Sequence, residues 1–272
     1  MSVPSSRAVA ARGPVDAGER ERELAEALLE LAGAGEADGT RPKPAALAAH
    51  ACRRLAREGR HCEAAAVLGA PSGVGPESFG HSGARAAQLL RVEHEQHEGP
   101  ATDTLRTGLA LPALPLDGAA ARWPRYAPTA LEAGVRAVHT VPLPGGQGPG
   151  GVPGVGVLVV HLLDEAPLDP AAAEALTVLA RACALGVAHR TALRRAAELQ
   201  QALGSRVVIE QAKGVLAERG RGSVDDAFRT LRAYARSRQR PLHHVARDVV
   251  EARLVAPPFE RRTGPPPSRR SR

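Results

Sequence analysis

Arg229, Arg232 and Arg236 stand three and four residues apart in the stretch SVDDAFRTLRAYARSR. On a helix that spacing puts all three on one face. Just upstream, SRVVIEQAKGVLAERG carries Arg206, Glu210 and Lys213 in a matching register; just downstream, PLHHVARDVVEARL holds His243 and Arg247 four apart. Cationic groups gathered in this way bind phosphates, with an affinity that falls steeply with salt. Guanidinium planes also stack on unpaired bases, a common means of reading RNA loops. The plainer reading of the same charges is a solvated polar face on a small bundle.

The charge balance favours the first reading. The net charge is +7, unevenly spread. From Arg190 onward there are 19 Lys and Arg against 8 Asp and Glu, or +11, which leaves −4 for the rest. A basic C-terminal part on a mildly acidic N-terminal part suits a polyanion reader joined to something else. Coding bias toward Arg is the rival explanation.

Other constellations carry less. In EHEQH, His94 and His97 are three apart beside Glu93, Glu95 and Glu98, but a third metal ligand is not evident, so a solvated helical face is expected. His243 and His244 are adjacent and on a helix should not face one another. Cys62 follows His61 on an expected strand, where the two side chains point to opposite faces. A small buried hydrophobe is the expected role of Cys62. The Gly-rich run 145–154 lacks the Lys-Ser/Thr of a phosphate loop and reads as a hairpin connection. Trp123 before Pro124 reads as a packing anchor. No Ser/His/Asp set or carboxylate pair stands out, so no catalytic residue, metal or cofactor is expected.

Three cysteines, Cys52, Cys62 and Cys183, make neither a disulfide framework nor a zinc pattern, which fits a reducing cytoplasm. The N-terminus has no apolar signal core, and no run reads as the 18 or so apolar residues of a membrane span. Aromatic residues are only 2% of the chain, so any core must be built from Ala, Leu and Val.

The elements that must position these residues follow from periodicity. Helices are expected at 19–33, 45–59 (closed by Gly59) and 84–100, with strands at 62–70, 109–116, 137–144 and 154–163. A turn is expected over 69–76, and a short helix capped by Gly134. The last two strands read as a long-looped hairpin central in a sheet. From Pro170 a helix runs far, with Gly186, Gly204 and Gly214 as weak interruptions. Leu193, Ala196, Gln200, Leu203 and Val207 alternate by threes and fours, as in a short coiled coil between two chains. Helices at 223–238, with Ser223 as N-cap and Asp225 and Asp226 in the first turn, and at 241–254 complete the pattern. Their expected core faces are Ala227, Phe228, Leu231, Tyr234 and Ala235, then Leu242, Val245, Ala246, Val249 and Val250.

The run ALGSRVVIEQAKGVLAERGRGSVDDAFRTLRAYARSRQRPLHHVARDVV resembles the ANTAR family, the RNA-binding antitermination modules of bacterial regulators. QAKG, the Ser-led second helix with AF, LR and A, and the VA of a short third helix carry the likeness over 192–254. The resemblance implies a three-helix fold that binds paired RNA hairpins, so that a terminator loses to its competitor. Arg206, Lys213 and Arg232 match basic positions of the family, and Ala212, Ala227, Ala235 and Ala246 match small ones. Gly214 matches the family's KG. Arg229, Arg236, His243 and Arg247 join the site on helical geometry alone.

HCEAAAVLG, HEGPATDTLRTGLAL, RWPRYAPTALEAGVRAVHTVPLP and GVGVLVVHL resemble a GAF domain of the kind found before ANTAR modules in actinobacterial proteins. That resemblance implies a central antiparallel sheet flanked by helices, often with a small-molecule pocket. With three Phe, two Tyr, one Trp and one Met, an aromatic ligand cage is poorly supplied, so the unit serves either to sense a ligand or to dimerise.

The expected fold is thus α+β: a leader at 1–18, a GAF-like unit at 19–190, an ANTAR-like all-α unit at 191–255 and a basic tail at 256–272. The expected function is a cytoplasmic, dimeric antitermination regulator that binds RNA stem-loop pairs, with no membrane partner. A DNA-binding regulator using the C-terminal helices is the main alternative. A GAF-based redox or metal enzyme is a weaker one.

Overall fold

A computed structural model describes residues 17–32, 44–69, 76–145 and 155–254. The chain is α+β and divides into two compact units, 1–192 and 193–272. The expected leader, the 256–272 tail and nearly all of the 145–154 loop lie outside the described residues, as does most of the 69–76 turn.

The first unit is built on five antiparallel strands: β1 (Cys62–Gly69), β2 (Pro76–His81), β3 (Leu111–Pro115), β4 (Ala137–Leu143) and β5 (Gly156–Leu162). Their order is β2-β1-β5-β4-β3, which puts the expected hairpin, β4 with β5, at the centre. Every residue of β5 is buried, and β1 is buried from Ala64 to Leu68. Alanine is a weak strand former, so burial on both faces has to outweigh propensity in β1.

Helices cover both faces. On one, α1 (Ala17–Ala32), α2 (Pro44–Ala56) and the first turns of α6 (Pro170–Gly220) pack on Ala64, Ala66, Leu158, Val160 and Leu162. On the other lie α3 (Ala84–Gln96), α4 (Pro100–Thr107) and α5 (Tyr126–Glu132), against Ala65, Val67, Val138, Val157 and Val159. Trp123 is 1% exposed, packs edge-on to Tyr126 and donates its Nε1–H to Asp103 at 3.2 Å, the anchoring role expected of it.

Four expectations need correction here. The helix expected over 84–100 ends at Gln96, with His97 left-handed (φ 53°), and Pro100 opens α4. Glu93 is not on a solvated face. It is 2% exposed and accepts the backbone N–H groups of Ala101 (2.8 Å) and Thr102 (3.1 Å) at the start of α4. Glu98 likewise accepts from Arg125 and Tyr126 at the start of α5, so carboxylates weighed as metal ligands serve as helix caps. Cys62 is half-buried, with its Sγ 3.6 Å from that of Cys52. Finally, α6 is long and apolar enough by length and composition to cross a membrane; 44% of its apolar window is buried, with Ala172, Leu176, Leu179, Ala180 and Cys183 packed on the sheet.

The second unit consists of the end of α6, α7 (Val224–Ser237) and α8 (Leu242–Val250). Ala212, Leu216, Ala227, Leu231, Ala235, Val245, Ala246 and Val249 form its core. The four alanines are all buried in this core, where a larger side chain would overpack it. α8 is shorter than the expected 241–254: Ala252 is left-handed (φ 57°) and Arg253 and Leu254 donate back to the Asp248 carbonyl. Val250, expected in the core, is 38% exposed.

Candidate nucleic-acid interface

The turn between α6 and α7 fixes where the basic residues of each helix point. Arg221 is left-handed (φ 50°), and Ser223 then caps α7. Ser223 Oγ accepts the Asp226 N–H at 3.1 Å and Asp226 accepts the Ser223 N–H at 3.3 Å, a reciprocal box that holds the first turn. The hydrogen bonds from Ser223, and then the Arg229 charge, lower the Asp226 pKa.

With Ala227, Leu231 and Ala235 facing inward, helical spacing sets Arg229, Arg232 and Arg236 on the outer side of α7. All three are exposed. Phe228, half-buried, borders this side and is the i,i+4 neighbour of Arg232. The Lys213 ammonium of α6 stands 5.4 Å from the centre of the Phe228 ring, a cation–π contact that joins the two helices. Lys213, Phe228, Arg232 and Arg236 therefore follow one another across α6 and α7.

Not every expected cation is free. Lys213 donates to both carboxylate oxygens of Glu210, at 3.0 and 2.8 Å, and only 16% of its side chain is exposed. Arg229 is paired with Asp226. Two further ion pairs in this unit are Arg240–Asp248 and Arg253–Glu251. Arg206, Arg232, Arg236 and Arg247 stand in none of them and are exposed.

On α8, His243 is half-buried and Arg247 exposed. Partial desolvation, then the charges of His244 and Arg247, lower the His243 pKa from its ordinary 6.5. The expectation that His243 and His244 cannot meet is wrong: their rings lie 4.4 Å apart, edge to face. Both sit in the first turn of α8, where no preceding turn confines the side chains. Arg240, just past α7, pairs with Asp248 of α8 at 2.6 Å, which ties the polar side of that helix to the end of α7.

One participant in this surface, Phe228, is not evident from sequence. Phe228 reads as a core residue by periodicity, and only the fold brings Lys213 over it. Arg238 lies 5.8 Å from the centre of the Tyr234 ring; their i,i+4 spacing is a usable signal. Among the described residues no group of three or more His, Cys, Asp or Glu side chains could hold a metal ion.

A three-helix unit with an exposed guanidinium row has the charge pattern that suits a polyanion. Residues 197–250 match the family model of the ANTAR domain, which implies an RNA-binding antitermination regulator. That segment takes in the later turns of α6 and all of α7 and α8. No GAF family model matches the first unit, and no curated protein matches the chain.

Proposed function

We propose that the chain binds paired RNA hairpins through its second unit and thereby lets transcription pass a terminator. The observation that carries this reading is the ANTAR match over the helices that hold Lys213, Phe228, Arg232 and Arg236. Arg206, Lys213, Arg229, Arg232, Arg236, His243 and Arg247 form the RNA surface. Arg206, Arg232, Arg236 and Arg247 reach phosphates without first breaking a pair. Lys213 and Arg229 must exchange a carboxylate for a phosphate.

The first unit is GAF-like, an antiparallel sheet flanked by helices, and either senses a small molecule or holds a dimer. Dimerisation proceeds through α6, where residues 192–204 are all exposed. Leu193, Leu199, Leu203 and Val207 are 57%, 65%, 64% and 55% exposed there, apolar surface that a second copy would cover. The protein acts in the cytoplasm as a homodimer.

Titration of the full chain with a two-hairpin transcript, each single hairpin and duplex DNA tests this. The two-hairpin RNA is expected to bind tightest, with affinity falling linearly on a log–log salt plot. Equal binding of all four ligands would overturn the RNA assignment.

A further inference from the structure

Cys52 and Cys62 are ten residues apart in sequence, yet the packing of α2 on β1 sets their Sγ atoms at 3.6 Å. Both are half-buried, so a small reagent reaches them; Cys183 is buried. Ser82 completes the cluster. Its Oγ lies 3.2 Å from Cys52 Sγ and accepts the Ala64 backbone N–H at 2.9 Å, which leaves the hydroxyl hydrogen free to point at sulfur. Cys62 supplies a second donor to Cys52. A disulfide needs a sulfur separation of about 2.05 Å, so the pair must close by only about 1.5 Å, within reach of side-chain rotation.

We propose that Cys52 and Cys62 form a thiol–disulfide exchange site that reacts with low-molecular-weight disulfides and closes to an internal disulfide between α2 and β1. The site goes beyond the RNA-binding role and does not depend on it.

The surroundings divide the labour between the sulfurs. The hydrogen bond from Cys62, together with that from Ser82, lowers the Cys52 pKa to about 7 against burial and the charge of Glu63. Donation to Cys52, burial and the nearby Asp164 push Cys62 the other way, with Arg60 opposing. Cys52 is the nucleophile, since the thiolate is the attacking species. Cys52 gives its proton to water and its thiolate attacks one sulfur of RS–SR; the new S–S bond to Cys52 forms as the RS–SR bond breaks, and RS⁻ leaves and takes a proton from water. Cys62 then loses its proton to water and attacks Cys52 Sγ, expelling a second RS⁻, which is protonated in turn. Two protein thiols and one RS–SR become one protein disulfide and two RSH; two electrons pass from the cysteines to the small disulfide. Burial raises Cys183 to about 11, which keeps it out of the exchange.

Reduced full-length protein is equilibrated in mixtures of reduced and oxidised glutathione, acid-quenched, and read by intact mass and peptide mapping. The expected product lacks two hydrogens and yields a peptide joining residues 52 and 62. Cys183→Ser is expected to behave the same way. Cys62→Ser, or Cys62→Ala should serine disturb the fold, is expected to stop at a glutathione adduct on Cys52. Stable glutathione adducts on both cysteines of the wild-type protein, with no joined peptide, would overturn the proposal. In time courses on the wild-type protein, a glutathione adduct that appears on residue 62 before residue 52 would overturn the assignment of Cys52 as nucleophile.

Discussion

Two buried titratable side chains on the first unit act on stability with opposite sign. Burial raises Glu93 from 4.5 to about 8, against the bonds it accepts from Thr102 and Ala101. Its folded pKa exceeds the unfolded one, so its contribution is full below pH 4.5 and lost as pH rises through about 8. His161 is held by burial at about 4, below its ordinary 6.5, so its contribution is lost as pH falls from 6.5 toward 4. Cys52, with a folded pKa of about 7 against its ordinary 9.0, opposes Glu93 above pH 7, so in a Cys52→Ser chain unfolding midpoints in urea are expected to fall between pH 6.5 and 8. Glu93→Gln, which cannot ionise, is expected to remove that slope; a slope unchanged in the variant would contradict the assignment. On the second unit, Glu210 neutralises Lys213 and adds a negative charge to the basic side. Glu210→Gln is expected to tighten RNA binding by about 0.5–1 kcal/mol, the scale of an exposed ion pair, as read by a titration at fixed salt.

Among the elements, the glycines of α6 divide by surroundings. A Cβ at Gly186 would lie 2.2 Å from the Leu31 carbonyl at the end of α1, whereas one at Gly214 would meet nothing within 4 Å. Gly186→Ala is therefore expected to destabilise the first unit by about 1–3 kcal/mol, and Gly214→Ala to stabilise its helix by about 0.5–1 kcal/mol. Gln239 is left-handed (φ 51°) just past α7, so Gln239→Gly is expected to raise the melting temperature of the second unit. By sequence alone all the α6 glycines read as weak interruptions, because periodicity shows where a helix runs but not what packs on it. For the same reason four of the five strands, the Ser223 cap and the inward alanines were legible, whereas β2, the inward turn of Glu93 and the meeting of Cys52 with Cys62 were not. Those depend on contacts between elements that local patterns do not encode. The early end of α8 was hidden as well, since no glycine or proline marks the left-handed Ala252.

At the scale of the whole molecule, the exposed apolar residues on α6 and the cations of the second unit set the remaining expectations. Leu199→Lys with Leu203→Lys is expected to shift the chain from dimer to monomer in sedimentation; an unchanged mass would remove α6 from the interface. The guanidinium row of α7 was legible because helical spacing dictates it, and its link to α6 through Phe228 came only with the fold. Lys213 and Arg232 are the groups expected to hold RNA phosphates. The most direct measurement is the salt dependence of two-hairpin RNA binding by full-length protein carrying Lys213→Glu and Arg232→Glu, with circular dichroism showing the helices intact. The expected result is weaker binding at every salt concentration and a log–log slope reduced by about 2, one for each phosphate no longer neutralised. An affinity and slope matching the wild type, in a folded variant, would contradict it.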